Sequence, residues 1–298
     1  MKTCYATFLF AFLLCLLAMP QSALSKTNIN AEPETPEPGW EYSLRTSLTG
    51  TQASYRNWSQ GGINNVSALA TTGFSARYKK DSFSYSLNVN LRYGQSRIGD
   101  GDFIKSDDLI RIRNQARRMF RDERFSAIFN LNFESQFDKG YKNPVPDEGE
   151  SRILQSRFFS PAYLSQVLGL SYNPDRYFRA ETGLAMKQTF VSDTSLSERY
   201  GLDAGDTFRN EAGFSVLLGY ERRIMENIHF SGYVETFTNV NKAITSTDVL
   251  FVSEITGQIN RYISTNVEFA MAYNDDITKE LQVKQIISVG FSYTFFDN

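Results

Sequence analysis

The sequence predicts an all-β fold, a transmembrane antiparallel up-and-down β-barrel of about twelve strands. Three observations lead there. From residue 40 onward, apolar and polar residues alternate with period two, which sorts them onto the two faces of a strand and would scatter them around a helix. Most of these runs are longer than ten residues. Strands of soluble proteins average about five or six residues, and a tilted strand needs about nine to eleven to cross a bilayer. The connections alternate short and long, the plan of a barrel with tight turns on one side of a membrane and loops on the other.

The chain opens with MKTCYATFLFAFLLCLLAMPQSALS. Lys2 gives a positive start, Ala6 to Met19 is apolar, Pro20 ends the run, and Ala23 and Ser25 have the small-residue spacing a signal peptidase reads. The run is too short to span a bilayer, so residues 1–25 are expected to be a secretory signal cleaved near Ser25. Cys4 and Cys15 leave with it, which removes thiolate and disulfide chemistry and leaves His229 as the one histidine. Lys+Arg fall from 31 to 30 against 33 Asp+Glu, a net charge near −3 and too balanced for a nucleic-acid binder. Residues 26–39 are acidic, with prolines at 33, 36 and 38, and read as a flexible periplasmic lead-in. The barrel then takes 40–298.

Strands are predicted at 40–52, 65–78, 83–95, 107–120, 125–137, 162–172, 177–190, 210–221, 228–239, 248–260, 263–273 and 281–296. The third is the clearest: Phe83, Tyr85, Leu87, Val89, Leu91 and Tyr93 oppose Ser84, Ser86, Asn88, Asn90 and Arg92. The fifth repeats the pattern, with Ile128 as an apolar exception on its polar face. On the fourth, Asn114 and Arg118 fall on the outward face. On the last, Val283, Ile287, Val289, Phe291, Tyr293 and Phe295 share a face. Such an aromatic closing strand resembles the signal read by the barrel assembly machinery, which is therefore an expected partner in biogenesis, beside outer-membrane lipid.

Short connections are expected at Lys79-Lys80-Asp81, Arg121 to Arg124, Asn173 to Arg176, Arg222 to Glu226 and Asn260-Arg261, and longer ones at 96–106, 138–161 and 191–209. Past the lead-in, prolines stand only at 144, 146, 161 and 174, outside every predicted strand, where a missing N–H would break a ladder that lipid cannot repair. Tyr78 and Phe83, Phe120 and Phe125, and Tyr172 and Tyr177 bracket short turns, as expected of an aromatic girdle at the membrane–water boundary.

NWSQGGINN, residues 57–65, joins the first two strands. Gly61 and Gly62 supply positive-φ freedom, Asn57 and Asn64 suit turn positions, and Trp58 is placed in the outer girdle. A phosphate loop would need a following helix, and NVSALATTGFSARY alternates as a strand instead. This block, followed by Tyr93-Gly94, Lys105-Ser106-Asp107-Asp108, Gln136 to Tyr141 and Ser160-Pro161-Ala162-Tyr163, resembles a domain-of-unknown-function family of outer-membrane proteins from Bacteroidetes-type Gram-negative bacteria. The resemblance runs from about Trp40 to the C-terminus and implies a β-barrel in the outer membrane, with no activity to carry over.

Facing parity places Arg92, Arg111, Arg113, Arg117, Arg179, Lys187 and His229 in the lumen, with Glu134, Glu181, Glu221, Glu235 and Glu268. Lipid would charge about 2–4 kcal/mol for a Lys or Arg near its midplane, so these groups belong inside. Their signs nearly balance. Cross-strand ion pairs would fill the interior; alternatively the basic residues of the fourth strand form a ladder for an anionic solute. His229-Phe230-Ser231 has the spacing of an outer-membrane phospholipase pair, but parity turns it away from lipid, and position 243, where that family's Asn would fall, is Ala. Asp100, Asp102, Asp107 and Asp108, and Asp203 with Asp206, suggest calcium loops or solvated acidic ones. The expected function is a porin-like narrow channel or small-solute transporter without cofactor. A non-enzymatic barrel acting through its external loops is the alternative, and a lipid-modifying enzyme the third.

Overall fold

The computed structural model describes residues 39–54, 64–142, 152–260 and 262–297. The strands are β1 (Gly39–Ala53), β2 (Asn65–Lys80), β3 (Phe83–Ile98), β4 (Ile104–Met119), β5 (Phe125–Ser135), β6 (Gly140–Tyr141), β7 (Leu154–Ser156), β8 (Ala162–Tyr172), β9 (Phe178–Phe190), β10 (Phe208–Met225), β11 (Ile228–Asn239), β12 (Asp248–Gln258), β13 (Ile263–Asn274) and β14 (Thr278–Asp297). Twelve of them form one closed barrel, in which each strand pairs with its neighbours in the chain and β14 returns to β1. β6 and β7 make a separate two-stranded ribbon inside the β5–β8 connection, which the sequence did not suggest. The predicted signal, the lead-in and the loop motif Asn57, Trp58, Gly61 and Gly62 lie outside the described residues; Asn64 immediately precedes β2.

The alternation produces the two faces. Ser86, Asn88, Asn90 and Arg92 of β3 turn inward, and Ser47 of β1 hydrogen-bonds Thr71 of β2 across the lumen wall. Outside, Leu168 of β8 is 64% exposed and Leu184 of β9 62%, and Phe214, Ile287 and Phe291 continue the surface on β10 and β14. Apolar area repeated on this scale faces lipid rather than water. Rings bound it at both ends. At the turn end Trp40 lies 5.2 Å from Tyr78 and Phe125 4.8 Å from Tyr172. At the loop end Phe133, Phe159, Phe190 and Phe208 follow one another at 5.9, 6.1 and 5.1 Å. The molecule is an outer-membrane-type barrel.

Several boundaries move for identifiable reasons. β10 runs to Met225 rather than ending at 221, so the turn after it shrinks to Glu226-Asn227. β4 starts at Ile104, because a bulge between Gly94 and Gln95 lets Lys105 and Ile104 resume pairing with β3. β5 stops at Ser135 instead of 137, because the Asp108 carboxylate captures the N–H groups of Phe137 and Asp138 at 2.7 and 2.9 Å. β14 begins at Thr278, leaving a loop-end connection of only residues 275–277 and breaking the long-short rhythm there.

The irregular residues also find roles. Ile128 faces inward and is 2% exposed. It pairs with Gly169, which pairs in turn with Gly183, and a Cβ on Gly169 would stand 2.0 Å from the Thr182 carbonyl oxygen. Two strands pressed this close leave an inward gap, and the isoleucine occupies it. Asn114 does face outward, where it accepts a 2.7 Å hydrogen bond from the Tyr85 hydroxyl and donates to the Leu131 carbonyl at 3.3 Å. Arg118 pairs with Phe83 beside a turn, at the membrane boundary where a cation costs little.

Candidate functional site: the charged lumen

The inward faces enclose a cavity of about 570 Å³ in mid-barrel and a second of about 420 Å³ at the turn end. Arg179 and Tyr233 line both and so mark the level where they meet. At this level Glu181, 5% exposed, receives hydrogen bonds from Gln115 Nε2 and Asn130 Nδ2, each at 3.0 Å. Arg117 Nη2 stands 3.5 Å from the carboxylate and Arg179 Nε 3.6 Å. One carboxylate thus lies beside two guanidinium groups where the two cavities meet. A buried carboxylate is tolerable only when it is compensated in this way.

Above it, charges meet across the lumen. Arg92 of β3 reaches Glu268 of β13 at 2.5 Å and Asp107 at 3.1 Å, and Lys284 of β14 approaches the same two acids at 3.7 and 3.4 Å. Arg113 of β4 lies 3.7 Å from Glu235 of β11 and covers the Tyr233 ring at 5.1 Å. Arg111 pairs with its neighbour Glu134 at 2.7 Å, and Lys187 pairs with Asp248. His229 Nε2 is 3.0 Å from Glu221, which lines the lower cavity at the turn end. Ser231 lines the same cavity.

The loop end is covered. The β9–β10 loop folds through two short 3₁₀ turns around Val191, Leu196 and Leu202, with Leu154 and Tyr200 packed against them. The Tyr200 hydroxyl donates to the Gln155 carbonyl at 2.8 Å, while Arg209 Nη1 donates to the Gly201 carbonyl at 2.5 Å. Gly201 has φ +73°, and a Cβ there would meet Asp276 at 2.8 Å. Gln155 belongs to the β5–β8 connection and Asp276 to the β13–β14 connection, which are rooted on nearly opposite sides of the barrel. Consecutive residues touching both must lie over the mouth. Asp276 is gripped by Arg209 at 2.9 Å and by Lys242. Burial opposes its ionisation, but these two cations outweigh burial and hold its carboxyl below the ordinary value.

Three of the five blocks behind the family resemblance converge on the outer side of β3–β5. Lys105 Nζ donates to Asp108 at 2.9 Å, Gln136 at 2.9 Å and the Asp138 carbonyl at 2.8 Å. The Tyr93 hydroxyl donates to Asp138 at 2.9 Å. The Asp138 carboxyl sits below its ordinary value, held first by the Lys139 N–H and then by Tyr93. A Cβ on Gly140 would lie 3.1 Å from Lys105 Cε. These blocks therefore build a brace that ties the β5–β8 connection to the barrel wall. The fourth joins it through Ser135, whose hydroxyl donates to the Pro161 carbonyl at 3.2 Å.

The suggested calcium residues are mostly engaged otherwise: Asp102 with Arg152, Asp107 with Arg92 and Lys284, Asp108 with Lys105. Among the described residues no group of three or more acidic, His or Cys side chains is placed to hold a metal ion. The lumen also contains residues the sequence did not single out. Glu254 and Val252 line the main cavity together, and that mixed inward face blurs the alternation on β12. Tyr233 is a lumen residue of a type that the sequence associates with girdles.

Residues 51–141 match the family model described as a protein of unknown function, DUF3078. No curated protein matches the chain. Among solved structures, the translocator domain of the autotransporter NalP from Neisseria meningitidis is similar at 11% identity and TM-score 0.38, covering 85% of this chain and 87% of that one. The COG4313 outer membrane channel from Pseudomonas putida F1 is similar at 8% identity and TM-score 0.39, covering 90% and 99%. The outer membrane channel DcaP of Acinetobacter baumannii is similar at 6% identity and TM-score 0.34, covering 86% and 96%.

Proposed function

We propose that this barrel is a narrow outer-membrane channel for small polar solutes, closed at rest. The observation that carries the reading is the pair of cavities within one lumen, which share Arg179 and Tyr233 in their lining and have the Glu181–Arg117–Arg179 contact beside their junction. Side-chain ion pairs can part and reform, unlike an apolar core packed to density. With short turns and both barrel termini at one end, that end faces the periplasm and the covered mouth faces outside. Sec-type export through the N-terminal segment fits this placement. Single-channel conductance of the refolded chain in a planar bilayer tests the reading. Steady small conductance that grows in Glu181→Gln supports it; silence from both folded proteins sinks it.

A second reading is favoured by a different observation. The β9–β10 loop carries its own apolar core and packs on the β5–β8 connection, which gives the outer end a formed surface. If the lumen never conducts, that surface becomes the seat of function, as a non-enzymatic binding barrel. The lipid-modifying reading draws no support from His229, whose partner is Glu221 at the wet rim.

A further inference from the structure

Six of the nine charged residues that line the main cavity are sorted by wall, Arg45 of β1 and Arg179 and Glu181 of β9 being the other three. Arg92, Arg111 and Arg113 project from β3 and β4, and Glu235, Glu254 and Glu268 from β11, β12 and β13 on the far side. Among these six a field therefore runs across the lumen, from the basic wall to the acidic one. Two of the cross-lumen pairs differ. Arg92–Glu268 is tight at 2.5 Å, with its side chains 15% and 14% exposed. Arg113–Glu235 is loose at 3.7 Å, with its side chains 31% and 27% exposed. A pair that is long, solvated and beside open volume is the one a solute can part at least cost.

We infer that the cavity selects small zwitterions, of the amino-acid or short-peptide class, by parting Arg113 from Glu235. The solute's carboxylate would take the place of Glu235 on Arg113, a planar fork suited to two parallel hydrogen bonds. Its ammonium would take the place of Arg113 on Glu235, while Glu254 pairs across β12–β13 with Glu268 further along the same acidic wall. Glu254 already accepts a 2.6 Å hydrogen bond from Asn266, which holds it in position. A volume of about 570 Å³ accommodates a solute of this size. A neutral sugar offers both groups hydroxyl hydrogen bonds but no opposite charge when it separates them. An anion satisfies the basic wall but faces three carboxylates.

This inference rests on the channel reading, and the experiment separates the two. Full-length mature protein in proteoliposomes is given labelled L-glutamine, ribose and malate, a zwitterion, a neutral solute and an anion. The expected result is glutamine uptake at least about fivefold faster than ribose or malate. Glu235→Gln should shift the preference toward malate, and Arg113→Gln should slow glutamine and malate alike while leaving ribose within about twofold. Equal rates for glutamine and ribose, or malate ahead in the wild type, overturns the zwitterion assignment and leaves the channel standing. No uptake of any of the three by folded protein overturns both.

Discussion

Glu181 of β9 and Arg117 of β4, three strands apart around the ring, stand 3.5 Å from each other where, among the described residues, the two lumen cavities share their lining. The carboxylate is nearly fully buried, and its charge holds Arg117 and Arg179 in place together. Glu181→Gln keeps the side chain's size and its capacity to accept from Asn130. It removes the charge that keeps two guanidinium groups close. The two should move apart and conductance should rise roughly twofold or more, measured as single-channel current at fixed voltage. An unchanged current would place the constriction elsewhere.

Arg92 joins β3 to β13, strands that share no ladder, through its contact with Glu268. Arg92→Ala leaves Asp107 and Glu268 facing each other with only the more distant Lys284. Removing one partner from a buried pair costs about 3–5 kcal/mol, so the urea midpoint of the refolded barrel should fall accordingly. A loss below about 1 kcal/mol would mean the pair is solvated in the membrane-bound protein.

Lys105 is the centre of the brace outside the lumen. Lys105→Met keeps the length of the side chain and strips Asp108, 1% exposed, of its cation. The β5–β8 connection should loosen, and trypsin cleavage at Lys139 and Arg157 should quicken roughly tenfold as local opening becomes easier. Conductance should stay as it was, since the brace lies on the outer side of the wall. A coupled change in conductance would show that the brace also sets the mouth.

Asp276 ties the covering loop to the β13–β14 connection. Its folded pKa lies below the ordinary carboxylate value, so folding favours the ionised form. The contribution is fully present above the unfolded pKa of about 3.9 and is lost as pH falls through the lower folded value. Acidification below about pH 4 should therefore loosen the cover and raise conductance. Asp276→Asn should show the raised level already at neutral pH and respond less to acid. If the variant titrates like the wild type, another carboxylate holds the loop.

The barrel itself was legible because each strand carries its own signal. Period-two alternation on β3 and β14 needs no knowledge of any partner, and lipid on one side makes the contrast sharper than in a soluble sheet. The lumen residues followed from the same parity, which is why Arg92, Arg113 and Glu181 could be placed before their partners. Who pairs with whom was not legible. Arg92 and Glu268 are separated by 176 positions, and only closure of the barrel makes them neighbours. The mouth was hidden for a related reason: Tyr200, Gly201 and Asp276 belong to connections whose composition reads as ordinary loop. The brace gave a partial signal, because its blocks were recognisable as a pattern while their convergence on Lys105 was not.

The seam between β14 and β1 joins Thr49 to Gly290 and Ser43 to Asp297, positions at the two extremes of the barrel sequence. Every other pairing in the ring is between strands close in the chain and can form hairpin by hairpin. This one waits for the last segment to be made. Until then the growing sheet has two raw edges with unpaired amides, in a medium that offers no water to satisfy them. The entropy of bringing the ends together rises only slowly with length, so the delay is one of order rather than of energy. Folding of this chain should thus be limited by a single late zipping event, and a factor that shields one free edge would accelerate it more than any change to the eleven hairpin-like pairings.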